Sequence, residues 1–241
     1  LKETTLHDPA ALRRFRREAE AASSLVHAHT IRVFDFGASD DGVFFIAMEL
    51  LDGLDLEAVV DRCGPLPAAR VLHIARQVCG SLAEAHQRGI IHCDLKPANL
   101  FLTKVGDDYD FAKVLDFGLA RLMVGHGHTT VDSIRGTPAF MPPEIIRGEP
   151  VSPASDVYSM GAVLYWMVTG SPVFRGKGFH ENVMAHLEGT PERPSVRLGK
   201  EIPRDVEDVI LKCLAKKPED RYASATELEA ALASCECAKT W

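Results

Sequence analysis

The sequence predicts an α+β fold, in which a short β-containing part opens the chain and a mainly helical part completes it. Three observations predict this. Two runs rich in Ile, Val and Phe, Thr30 to Phe36 and Val43 to Met48, lie near the start. Two long stretches, one after Pro67 and one after Ser155, repeat apolar residues at helical spacing. Between them, two short apolar runs carry clusters of polar residues, Ile90-Ile91-His92-Cys93-Asp94-Leu95-Lys96-Pro97-Ala98-Asn99-Leu100 and Val114-Leu115-Asp116-Phe117-Gly118. A strand with a reactive loop at its end reads this way.

In chain order, Asp8 and Pro9 start a helix, the acid as cap and the proline in the first turn, and Leu12, Phe15, Ala19 and Ala22 form one apolar stripe. Glu18 falls about 40° from Ala22, on the border of that stripe. The two β runs are joined by a turn from Gly37 to Gly42 that carries Asp40-Asp41-Gly42. Pro67 opens a helix with Val71, Ile74, Ala75, Val78, Leu82 and Ala85 on one face, ending at Gly89. Such a helix is core, and it would hold the polar loop that follows it rigid.

Leu100-Phe101-Leu102 and Phe111 to Leu115 read as strands linked by a polar loop with Gly106-Asp107-Asp108, whose acids do not have the spacing of a calcium loop. Asp116 to Glu144 is rich in Gly, His, Thr and Ser and reads as a loop. Ser155-Asp156 begins a very apolar helix running to Thr169-Gly170, a pattern that belongs in the middle of a core. Ser224-x-x-Glu227 is a capping box that opens the final helix.

At 241 residues, 46% hydrophobic and 25% charged, the chain is long enough for a sizeable core in one or two lobes. A net charge of −7 gives no electrostatic case for nucleic acid or an anionic membrane. The Arg13, Arg14, Arg16, Arg17 cluster reads as a solvated helix face. The longest apolar run, near Gly161 to Val168, is too short to span a bilayer, and no signal peptide opens the chain, so the segment is expected in the cytoplasm. The six cysteines lack paired metal-ligand spacing, and reduced thiols are expected.

His92-Cys93-Asp94, with Lys96 two residues and Asn99 five residues beyond Asp94, followed by Asp116-Phe117-Gly118, resembles the catalytic loop and metal site of protein kinases. The resemblance covers nearly the whole chain and is closest to bacterial serine/threonine kinases. It implies a two-lobed fold, with a partial small lobe over residues 1–50 and a helical large lobe over 51–241. It further implies transfer of the ATP γ-phosphate to Ser or Thr hydroxyls of proteins, with Mg2+, or Mn2+ in its place. Asp94 would orient the substrate hydroxyl and take its proton, Lys96 would neutralise the transferring group, and Asn99 and Asp116 would hold the metal. Lys96 favours serine/threonine over tyrosine substrates.

By the same resemblance, Glu18 matches the glutamate that pairs with the ATP-holding lysine, Met48 gates the adenine pocket, and Phe101 forms its floor. The backbone of Glu49 and Leu51 would bond the base. Thr129, Thr130 and Ser133 lie in the matching activation segment, and Thr137 would approach Asp94 from the substrate side. Glu144 would pair with Arg221, and Asp156 would cap its helix, brace the catalytic loop, or do both. Cys93 departs from the family, which commonly has an arginine there to grip an activation-segment phosphate. Phosphorylation is therefore expected to matter less here. The lysine strand and the glycine-rich loop have no match, so the chain as written is expected to be weakly active or inactive. Dimerisation for autophosphorylation and a membrane anchor outside this segment are further expectations that the resemblance implies.

Two other readings are weighed against this one. An aminoglycoside-type phosphotransferase shares the His-x-Asp and the Asn five residues on, but Lys96, Asp116-Phe117-Gly118, Pro142-Pro143-Glu144 and Asp156 match the protein-kinase branch. A non-catalytic pseudokinase or scaffold is disfavoured by the presence of all four phosphate and metal groups.

Overall fold

The structure, a computed structural model, describes residues 19–39, 43–117 and 138–241. Two small antiparallel sheets open the fold and helices complete it. Strands β1 (Val33–Ala38) and β2 (Phe44–Met48) form one hairpin, with Phe36 opposite Ile46. Strands β3 (Gly53–Asp55), β4 (Leu100–Val105) and β5 (Asp108–Val114) form a second sheet in that order. A parallel bridge between Thr30 and Val114 ties the lead into β1 to the end of β5.

The first strand starts at Val33 rather than Thr30 because the main chain there pairs with β5 and not with β2, Ile31 N–H donating to Val114 O at 2.9 Å. The Thr30 Oγ1 also shares a 2.6 Å hydrogen bond with Ser81 Oγ. Gly37 lies within β1, so the connecting turn is shorter than expected, and Ser39 N–H closes it on Val43 O at 2.9 Å.

Helix α1 (Leu56–Cys63) is capped by Asp55, whose Oδ1 accepts Ala58 N–H at 2.7 Å. Helix α2 (Ala68–Gln87) buries Val71, Ile74, Ala75, Val78, Leu82 and Ala85 to 1% exposure or less, which is the face the periodicity marks. It also clamps β5. Arg70 forks onto Asp110 at 2.7 and 2.9 Å, and Gln77 bonds both the Asp110 carbonyl and the Ala112 N–H. The strand that leads to Asp116 is thereby fixed to the core.

After α3 (Pro143–Arg147), helix α4 (Pro153–Thr169) runs through the middle of the core, with every residue from Ala154 onward buried. It begins at Pro153, before the expected Ser155-Asp156 start. Ser152 and Ser155 form a capping box, and proline suits the first turn, where an N–H would go unused. Asp156 is thus inside the helix and does not cap it. Helices α5 (Phe179–Glu188), α6 (Pro194–Leu198), α7 (Arg204–Cys213) and α8 (Ala225–Ser234) pack around this centre. Among the described residues, no helix is long and apolar enough to cross a membrane.

Candidate active site

Helix α2 delivers the loop. It ends at Gln87 with Arg88 as its cap, and Gly89 turns the chain at φ +73°, a conformation that glycine adopts without steric cost. Among the described residues only two non-glycines adopt positive φ, Cys93 at 64° and Asp116 at 58°. Strain of this kind persists where surrounding contacts over-determine it, and Asp156 supplies such contacts. Its Oδ1 accepts Cys93 N–H at 2.9 Å, while its Oδ2 accepts His92 N–H at 2.9 Å and meets His86 Nε2 at 2.8 Å. The carboxylate is fully buried, so the α4 core grips the loop directly.

The loop side chains converge on Asp94. Lys96 Nζ donates to Asp94 Oδ2 at 2.7 Å, and Asn99 Nδ2 donates to Asp94 O at 2.8 Å and to Oδ2 at 3.2 Å. Those two donations fix the orientation of the buried Asn99 amide and turn its Oδ1 to the other side. Asp116 is joined to this cluster through its neighbour. Leu115 N–H donates to Asn99 O, and His92 Nε2–H donates to Leu115 O, each at 2.9 Å. The His92 ring also lies against Phe117, 4.9 Å between centroids. The Asp116 carboxylate is exposed, whereas Phe117 beside it is buried.

Met48 and Asp116 line one small apolar cavity together with Ala19, Ile46 and Phe117, so the end of β2 meets the Asp116 turn. After Met48 the chain is clamped by the side chain of Glu49. Its Oε1 accepts Arg32 N–H at 2.8 Å and Lys113 Nζ at 2.7 Å, which ties residue 49 to both sheets. Leu51 is half-buried next to β3. The Phe101 ring packs over Gly53, where a Cβ would collide with the Leu102 carbonyl and leave 3.1 Å to the ring.

Glu144 and Arg221 meet as a two-point pair, Nη1 to Oε1 at 2.7 Å and Nη2 to Oε2 at 2.9 Å, both side chains buried. Burial opposes charge on Glu144, but the bonds from Arg221 and Ser155 outweigh it and hold the carboxyl below its ordinary range. Glu18, Thr129, Thr130, Ser133 and Thr137 lie outside the described residues.

Several contributors escape the sequence pattern. Glu84 on α2 accepts the N–H groups of Val26 and His27, the closest at 2.8 Å, and so docks the segment before β1 onto the helical part. Lys113 and His86 likewise act on partners more than sixty positions away, a separation at which no local spacing signals a contact.

The donor set can be tested against a metal. One exposed carboxylate, Asp116, and one oriented amide oxygen, Asn99 Oδ1, are hard oxygen donors linked through Leu115, and they fit an Mg2+ ion that completes its shell with phosphate and water. A carboxylate bonded to an ammonium, Asp94 with Lys96, can accept a hydroxyl proton beside a neutralising cation.

A family profile described as "Protein kinase domain" matches residues 2–232. The chain is 40% identical over 237 residues to the serine/threonine-protein kinase pkn3 of Myxococcus xanthus, covering 96% of this chain and 43% of that protein. It spans well under half the length of this and the other curated relatives it matches. Among solved structures it resembles the PknI kinase domain of Mycobacterium tuberculosis, with TM-score 0.72 and 30% identity over 97% of this chain and 82% of that one. It also resembles Rad53 residues 1–466 in complex with AMP-PNP, with TM-score 0.75 and 29% identity over 89% of this chain and 53% of that one. With that fold, that loop geometry and these relatives, the chain belongs to the protein kinase family, on its bacterial serine/threonine branch.

Proposed function

We propose that this domain transfers the γ-phosphate of ATP to Ser or Thr hydroxyls of proteins. The single observation that carries the reading is the locked cluster in which Lys96 and Asn99 both bond Asp94 while Leu115 ties Asn99 and His92 to Asp116. Phosphoryl transfer asks for positioning and charge neutralisation more than covalent help, and this cluster offers both.

Asp94 Oδ orients the substrate hydroxyl and takes its proton as the new O–P bond forms and the bond to the ADP oxygen breaks. Lys96 Nζ lies 2.7 Å from Asp94 and stabilises charge on the group in transit. Asn99 and Asp116 would hold Mg2+, which when bound neutralises phosphate charge. Met48 closes the back of the adenine site, Phe101 underlies it, and the main chain of Glu49 and Leu51 meets the base edge. The clamp on Glu49 from Arg32 and Lys113 supports this assignment, because it fixes the connection between the sheets. Glu18 and Thr137 take the nucleotide-positioning and substrate-side roles that the family implies.

The test is phosphate transfer by the full encoded protein from ATP, with Mg2+ or Mn2+, to dephosphorylated casein, followed by phosphoamino-acid analysis. Phosphoserine and phosphothreonine are expected. Metal-dependent ATP binding without transfer would favour a scaffold, and transfer to an aminoglycoside in place of casein would favour the small-molecule reading.

A further inference from the structure

Residues 25–31, which lead into β1, are fastened to α2 and β5 at nearly every position. Leu25 is buried in the core, Thr30 Oγ1 meets Ser81 Oγ at 2.6 Å, and the main chain of His29 and Ile31 pairs with Val114 at 2.8 and 2.9 Å. His29 Nδ1–H donates to Ala112 O at 2.9 Å, and the His29 N–H donates to His27 Nδ1 at 3.2 Å. The His27 ring in turn lies on α2 at Gly80, where a Cβ would come within 2.8 Å of it. Glycine is unfavourable inside a helix, and this close approach is what its place at 80 allows.

Glu84 on α2 closes the set. Its Oε2 accepts the N–H groups of Val26 at 3.1 Å and His27 at 2.8 Å, and its Oε1 accepts Arg88 Nη2–H at 3.0 Å. Burial opposes charge on this carboxyl, but the N–H bonds of His27 and Val26 and the charge of Arg88 outweigh it and hold it below its ordinary range. A charged acceptor binds main-chain N–H groups more strongly than a neutral one does. Asp156 holds His92 and Cys93 in the same way.

Residues 19–23 are helical and run directly into the fastened segment, with Leu25 N–H donating back to Ala22 O at 3.2 Å. Ala19 and Ala22 of that helix, with Ile31 of the segment, form one wall of the small cavity that Met48, Asp116 and Phe117 complete. The helix thus departs from a point that Glu84 holds and faces the residues assigned to metal and nucleotide. We propose that Glu84 is a positioning residue for the nucleotide. By holding Val26 and His27 it sets the distance between this helical wall and the Asp116 turn. This rests on the kinase reading above, and it assigns Glu84 no contact with ATP or metal.

The experiment compares three variants in the full encoded protein. Glu84→Ala removes both acceptors, Glu84→Asp keeps the charge but draws it back from the segment, and Glu84→Gln offers an amide oxygen in the place of Oε2. Glu84→Ala is expected to raise KM for ATP about tenfold, the weight of one hydrogen bond, with KM for dephosphorylated casein unchanged. Glu84→Asp is expected to shift the ATP value in the same direction, and it carries the measurement if the alanine variant does not fold. Glu84→Gln is expected to stay near the unsubstituted protein. A merely structural role would lower kcat through loss of folded protein and leave both KM values alone. That result, ATP and casein values rising together, or Glu84→Gln as impaired as Glu84→Ala would overturn the proposal. Amide hydrogen exchange gives a second reading that needs no catalysis. Residues 19–28 should exchange faster in Glu84→Ala and Glu84→Asp than in Glu84→Gln, and equal protection in all three would also overturn it. Absence of phosphate transfer by the unsubstituted protein counts instead against the kinase reading, and the exchange measurement still decides whether Glu84 holds the segment.

Discussion

Asp156, buried in α4, accepts the main-chain N–H of Cys93 at 2.9 Å and so holds a residue whose φ is +64°. The loop before Asp94 keeps this costly shape because a core carboxylate binds two successive N–H groups, those of His92 and Cys93. Asp156→Ala leaves both donors and His86 without that acceptor. A loss of roughly 2–5 kcal/mol in denaturant unfolding is expected. Activity should fall by about a hundredfold, since a shift of about 1 Å in a catalytic group has that effect. A variant of normal stability and rate would show that the loop holds itself.

The Glu144–Arg221 pair is buried on both sides, so removing one partner strands a charge. Arg221→Met is expected to destabilise by about 3–5 kcal/mol, and the double variant Arg221→Met, Glu144→Leu by distinctly less. Chemical denaturation of the four proteins in the cycle measures the coupling. Equal losses in the single and double variants would contradict the pairing.

Cys93 stands where the kinase resemblance places an arginine, and a thiol offers no forked, charged contact to phosphate. Replacing Thr129, Thr130 and Ser133 together by Ala is therefore expected to leave activity within about threefold of the unsubstituted protein, a change worth less than roughly 1 kcal/mol. Loss of activity to baseline in a casein assay would refute this.

Acid stability follows from His186. In the fold its pKa is depressed to about 4, whereas the unfolded chain protonates near 6.5. The unfolded state gains its proton first, so stability is full above about pH 6.5 and declines as pH falls toward 4, by at most about 3 kcal/mol from this group. The depressed Glu144 carboxyl adds a further loss at lower pH, as it takes up its proton. His186→Asn should flatten the decline between pH 6.5 and 4, read as unfolding midpoints across that window. An unaltered slope would mean that the ring titrates freely in the fold.

Periodicity made the helices legible. Val71 to Ala85 and Val157 to Val168 carry their burial in their spacing, and the structure buries them accordingly. In the loop, hydrogen bonds bring Asp94, Lys96 and Asn99 together. Boundaries were less legible, because they depend on partners distant in sequence. The main chain at Thr30 pairs with Val114 of β5 instead of continuing β1, and the Ser152–Ser155 box moved the start of α4 ahead of Asp156. The contacts of Glu84 with His27 and of Tyr158 with His186 cross between elements, and nothing local announces them.

Asp94→Asn is the most direct test, because it removes the proton acceptor while keeping the side chain's size and leaving Asn99 its bond to the Asp94 carbonyl. The single-turnover rate of phosphate transfer from ATP to casein in the full encoded protein should drop by roughly a thousandfold while ATP still binds. A rate within about threefold of the unsubstituted protein, less than roughly 1 kcal/mol in barrier, would contradict the role of Asp94 and with it the kinase chemistry proposed for this site.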